Sequence, residues 1–146
     1  MESVHNDIIS EAIRIVSEGK DVILSVNGKS MLPFIIGGEE KAVLTQPGKI
    51  EKGKVYLAFT DDGRYVIHRV EKTDGKNVKL MGDGNIKFGE FCGVDGIKAR
   101  VDYVISKSGK KRFLYSRWRL FLTRIWLFLK PLRRYLLFIY KKIKGI

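Results

Sequence analysis

The hydrophobic positions change period twice along the chain. Ile8, Ile9, Ala12, Ile13 and Val16 recur at the spacing of one helical face. Asn6 or Asp7 is placed to cap this helix, Glu11 falls near its first turn, and Gly19 stands just past its end. So short a helix is expected to cover the edge of a sheet. From Asp21 the period becomes that of strands, with β-type runs at 21–26, 41–45, 55–60, 65–71, 78–81 and 97–106. Turn signals separate them: Pro33, Gly37-Gly38, Pro47-Gly48, Asp62-Gly63, Asp74-Gly75 and Asp83-Gly84. Asp62-Gly63 joins two runs closely enough for a hairpin. Many short strands with regular turns predict a mainly β, mostly antiparallel body.

After Arg112 the pattern changes again. Residues 113–146 are rich in Leu, Phe, Trp and Tyr, carry Arg or Lys throughout, and are broken at Pro131. One or two helices are expected there. The chain therefore divides into a body, 1–106, and a helical tail, 107–146.

Charge sharpens that division. The net charge of +12 is concentrated in the last 44 residues, which hold 13 basic and no acidic side chains; 1–102 hold 15 basic and 16 acidic. A basic tail suits nucleic acid or an anionic membrane surface. Nucleic-acid tails are polar with isolated aromatics, whereas this tail has apolar runs at 125–129 and 135–140. The composition argues against nucleic acid and for an interfacial anchor, with Trp118 and Trp126 at the membrane boundary. Beyond Pro131, Arg133, Arg134, Lys141 and Lys144 share one arc of the helical wheel, with Leu137 inside that arc and Lys142 outside it. No run approaches the roughly 20 apolar residues of a spanning helix. Packing of part of the tail on the body stays open. The polar N-terminus has no secretory-signal pattern, so a membrane-associated protein facing the cytoplasm is expected.

A single cysteine, Cys92, excludes an intrachain disulfide and a cysteine-built zinc site. It reads as a small hydrophobe. No metal or cofactor is expected.

Three segments carry chemistry. Asn27-Gly28-Lys29-Ser30-Met31-Leu32-Pro33 places a serine where a strand ends, with glycine allowing a peptide backbone to approach. The Ser30 N–H is available for an oxyanion hole. Tyr65-Val66-Ile67-His68-Arg69-Val70 sets a histidine in an apolar strand, and neutral imidazole is the commonest base for a serine nucleophile. Met81-Gly82-Asp83-Gly84-Asn85 is a turn, or else a turn whose Asp83 orients the His68 ring. Taken singly, each segment has an ordinary structural reading.

In this order the three resemble the type I signal peptidase family, in particular the branch of archaea and the endoplasmic reticulum, which has histidine where bacterial members have lysine. The resemblance runs from about Val22 to Val104. It includes Gly53-Lys54-Val55-Tyr56-Leu57 and Val94-Asp95-Gly96-Ile97-Lys98-Ala99-Arg100. It implies coiled antiparallel sheets shared with LexA-type self-cleaving repressors, and a serine endopeptidase acting on signal or leader peptides. Ser30 would be the nucleophile, His68 the base and Asp83 the orienter. The substrate would lie as an extended strand along Leu24, Ser25, Val26, Asn27 and Gly28, with Met31 beside it.

Three departures accompany the resemblance. Gly38-Glu39-Glu40 stands where the family has Gly-Asp. Gly28 replaces a serine that in some members supports the oxyanion hole. The usual N-terminal anchor is missing, and the basic tail would replace it. A Ser-Lys dyad is the mechanistic rival. Lys29 should point away from Ser30, whereas Lys72 and Lys79 stay open. A non-cleaving peptide-binding module of the same fold is the alternative function. A LexA-like regulator would need a DNA-binding half that one helix does not provide.

Overall fold

The computed structural model describes residues 2–26, 31, 34–36, 38–84, 89–115 and 117–145. Helix α1, Glu2–Ser17, opens the chain. It begins earlier than the sequence suggested, so Asn6 and Asp7 lie within it and cap nothing. It ends at Gly19, whose φ of +89° suits a residue without Cβ and whose N–H reaches the Val16 carbonyl at 2.9 Å. Ile9, Ala12 and Val16 are buried as the helical spacing requires, while Ile8 faces out.

The strands are β1, Val22–Ser25; β2, Lys41–Thr45; β3, Val55–Phe59; β4, Tyr65–Thr73; β5, Asn77–Met81; β6, Glu90–Gly93; β7, Ile97–Ile105; and β8, Lys111–Phe113. The path across the sheet is β1-β2-β7-β3-β4-β5-β6, and every pairing is antiparallel. The fold is mainly β, as the strand periodicity required. β3 and β4 form the hairpin expected at Asp62-Gly63, with Phe59 opposite Tyr65 and the Thr60 N–H on the Arg64 carbonyl. β8 adds to β7 beyond residue 106, pairing Phe113 with Tyr103. The sheet thus continues past the boundary drawn from composition.

Two apolar clusters divide the core. Val55, Leu57, Val101 and Leu44 join α1, Val26, Met31 and Ile35 in one. Tyr56, Ala58, Val70, Leu80 and Cys92 form the other. The alternation Val55/Leu57 against Tyr56/Ala58 on β3 is the pleat sending successive side chains to opposite faces. Cys92 is a buried small hydrophobe, and burial pushes its thiol up. Tyr115, beyond β8, ties strands together: its hydroxyl accepts the Val55 N–H at 2.7 Å and donates to the Val101 carbonyl.

The tail forms α2, Arg117–Phe128, and α3, Arg133–Lys144, with a short 3-10 turn around Pro131 between them. Both helices touch the body. Trp126 Nε1–H donates to the Asp83 carbonyl at 2.9 Å, and Lys130 meets Glu71 at 2.6 Å. Leu137 and Arg133 are buried. The side chains of Arg117, Trp118 and Arg119 lie outside the described residues.

Candidate active site

His68 sits midway along β4, opposite Tyr56 of β3, and is 4% exposed. Its Nδ1 lies 2.7 Å from Oε2 of Glu90, the first residue of β6. A carboxylate can only accept, so Nδ1 is the donor, and whenever the ring is neutral the lone pair is on Nε2. This is the arrangement that makes a histidine a base. Glu90 is nearly enclosed, and Arg64 approaches its other oxygen at 3.8 Å.

The sheet register brings this pair together. Leu80 on β5 pairs with both Val70 and Glu90, so these three stand abreast. β5 stops at Met81, opposite Arg69, and among the described residues no strand residue stands between His68 and Glu90. Gly89 permits the close approach: a Cβ there would lie 2.5 Å from the Leu80 carbonyl oxygen. Glu90 escaped the sequence reading because only the register, not its neighbours, marks it. Its sole local signal was a carboxylate seven residues beyond Asp83.

Asp83, expected to orient His68, is engaged elsewhere. Its two carboxylate oxygens accept from Arg69 Nε at 2.8 Å and from a terminal guanidinium nitrogen at 2.6 Å. Arg69 also donates to the Gly53 carbonyl at 2.7 Å. Burial works against the Arg69 charge, but the adjoining carboxylate outweighs it and raises the group above its ordinary value. His68 and Arg69 are strand neighbours pointing to opposite faces, and each has its own carboxylate.

Met31, expected beside the substrate, is a core side chain with 2% exposure. Its sulfur accepts the Asp83 N–H at 3.4 Å. The residue after Ser30 and the residue after His68 therefore meet at one aspartate. Ser30, Asn27, Gly28 and Lys29 lie outside the described residues. Further along, Glu40 is buried, accepts the Ile36 N–H at 2.8 Å and pairs with Arg112 at 2.6 Å. Arg112 also donates to the Phe34 carbonyl at 2.7 Å. The Gly-Glu-Glu departure thus has a structural use: its second glutamate pins the turn that follows the serine segment.

Among the described residues β1 pairs with β2 alone, which leaves its other edge open there. Val26 gives its N–H to Glu40 and receives Gly38 on its carbonyl, both inside the fold. By antiparallel alternation Leu24 also bonds inward, and Ile23 and Ser25 turn their backbone groups to the open edge. Leu24 packs on the core, while Ser25 is exposed. Between α1 and β1 runs a groove of about 430 Å³, lined by Ile8, Ala12, Ile15, Val22, Ile23 and Leu24 with Asp7 and Glu11.

Of the described candidates for a lysine base, Lys79 pairs with Glu71 at 3.3 Å and Lys72 is exposed on β4.

Residues 2–86 match the Peptidase S24-like family, the grouping of LexA-like and signal-peptidase-like folds. A comparison with curated proteins finds no match. The matched region takes in the Ser30 segment, His68, Arg69 and Asp83 and covers more than half of the sequence, and the chain accordingly belongs to the Peptidase S24-like family.

Proposed function

We propose that this protein is a serine endopeptidase of the signal-peptidase type, with Ser30 as nucleophile, His68 as general base and Glu90 as the group orienting His68. The observation that carries the reading is the His68–Glu90 contact, which presets the tautomer a base needs. Asp83 joins Met31 to Arg69, which fixes the chain after Ser30 to β4 on the face opposite the His68 ring.

In this mechanism Ser30 Oγ attacks the scissile carbonyl as its proton passes to His68 Nε2. The oxyanion is met by backbone N–H, that of Ser30 included. His68 then gives the proton to the leaving amine, and the acyl-enzyme is released by water deprotonated at the same nitrogen. Glu90 stabilises the imidazolium in each half-reaction and stays ionised. Asp83 is a positioning residue. The substrate is a signal or leader peptide lying extended along the open edge of β1, hydrogen-bonded through Ile23 and Ser25.

Cleavage of a peptide library by the wild type, Ser30→Ala and His68→Ala tests this reading. Cutting abolished in both variants supports it. Cutting that survives His68→Ala at the wild-type rate overturns the assignment of the base. Cutting only within the chain itself favours LexA-like self-processing, and retention of peptides without cutting favours a binding module.

A further inference from the structure

The tail helices pack the wrong way round for helices facing water. On α3, Arg133 is 1% exposed, whereas Phe138 and Ile143 are 66% and 79% exposed. On α2, Trp126 turns inward to Asp83 while Phe121, Ile125 and Phe128 face out, Phe128 at 85%. Tyr135 and Ile139 are exposed as well. Phe121, Ile125 and Phe128, and then Tyr135, Ile139 and Ile143, follow one another three or four positions apart, forming an outward seam on each helix with Leu132 exposed at the turn between. The arc containing Arg133 and Arg134 was expected to be the polar side. Its first member instead lies over the Trp126 ring at 5.5 Å, within the field of Asp83 and Glu71, and burial pushes its guanidinium down from its ordinary value.

An exposed seam of this length marks a surface that is covered in use. Its charge identifies the cover. Arg124, Arg134 and Lys142 are exposed among the apolar side chains, and the chain from Tyr103 onward has no acidic residue. A second copy of the seam would set like charges face to face, which disfavours self-association. Anionic headgroups would neutralise the cations while the aromatic and aliphatic side chains enter the acyl boundary. No helix among the described residues is long and apolar enough to cross a membrane.

We infer that the outward face of α2 and α3 docks on an anionic lipid surface, in the plane of the headgroups. The inward face carries Trp126 and holds the Asp83 loop, so docking presents the body to the membrane through the helices that touch the candidate site. The inference does not depend on the peptidase reading.

The test is partition of the full chain onto vesicles of phosphatidylglycerol or of phosphatidylcholine, for the wild type and for Phe128→Ser/Phe138→Ser/Ile143→Ser. The wild type should bind phosphatidylglycerol vesicles more than tenfold better than phosphatidylcholine, less so at high salt. The triple variant, altered only at exposed positions, should melt as the wild type does and lose more than tenfold in partition. Arg124→Gln/Arg134→Gln/Lys142→Gln should erase the preference between the two lipids. Equal binding to both vesicles by the wild type, no binding to either, or unchanged binding by the apolar triple variant would overturn the inference. So would a dimer that this variant dissolves while lipid binding is absent. Hydrolysis of a soluble peptide, if present, should be the same in wild type and variants.

Discussion

Arg69 and Asp83 form a two-pronged ion pair with 2% and 1% of their surfaces exposed, immediately beneath the strand position of His68. The pair draws in three other segments. Gly53 accepts from the guanidinium, Met31 accepts the aspartate N–H, and Trp126 donates to the aspartate carbonyl. Its work is to hold loops around the site, and taking it apart should reveal that.

Removing one partner of a buried, fully hydrogen-bonded pair leaves a desolvated charge behind. Asp83→Asn or Arg69→Ala should each lower stability by about 3–5 kcal/mol. Urea denaturation of the single variants and of the double variant would check this. The double variant should cost clearly less than the sum of the singles.

Glu90→Gln keeps the shape of the His68 partner but lets the ring take the wrong tautomer. kcat should fall by about 10²- to 10⁴-fold with little change in melting temperature. Gly89→Ala should lower kcat as well, because the added Cβ would meet the Leu80 carbonyl oxygen and shift Glu90 away from the ring. Steady-state kinetics beside thermal melts separate the two effects.

The attachment of the tail should weaken in acid. Glu71 is partly buried, which raises its pKa, but Lys130 and Lys79 overcome this and hold it below its ordinary value of 4.5. A carboxylate depressed on folding contributes stability above its unfolded pKa and loses that contribution as pH falls through the folded one. Unfolding free energy of the wild type should therefore drop below about pH 4.5 more steeply than that of Lys130→Met.

At the alkaline end Tyr115 is the sensitive group. Burial pushes its hydroxyl well above the ordinary 10.0. The unfolded phenol ionises first, so stability should decline as pH rises past about 10. Tyr115→Phe should remove this phenol's part of the decline. At neutral pH it should cost about 1–3 kcal/mol, because the Val55 N–H loses its partner. Denaturation at pH 7 and at pH 10.5 measures both.

Six strands could be read from alternation and turn residues because their hydrophobic runs are long enough to show a period. β6 and β8 could not. Glu90-Phe91-Cys92-Gly93 follows a glycine and ends in another, and Lys111-Arg112-Phe113 is mostly charged. Both become strands through pairing with β5 and β7, which is a tertiary effect. Of the candidate site, His68 stands out in the sequence because its segment is distinctive. Asp83 was assigned to the wrong neighbour for want of the register: the aspartate meets Arg69, one position along and on the other face. On the tail, composition predicts one or two helices but not which face turns inward. The wheel places Arg133 on a polar side, whereas it is buried over the Trp126 ring.

Active-site labelling tests most directly whether Ser30 is a nucleophile activated by His68. The protein would be treated with a peptidyl fluorophosphonate and the adduct mapped by mass spectrometry. A single adduct on Ser30 is expected, absent in Ser30→Ala and formed at least about a hundredfold more slowly in His68→Ala and Glu90→Gln, on the order of the loss when a triad member is removed. An adduct on another residue, or labelling of Ser30 at the same rate without His68, would contradict this.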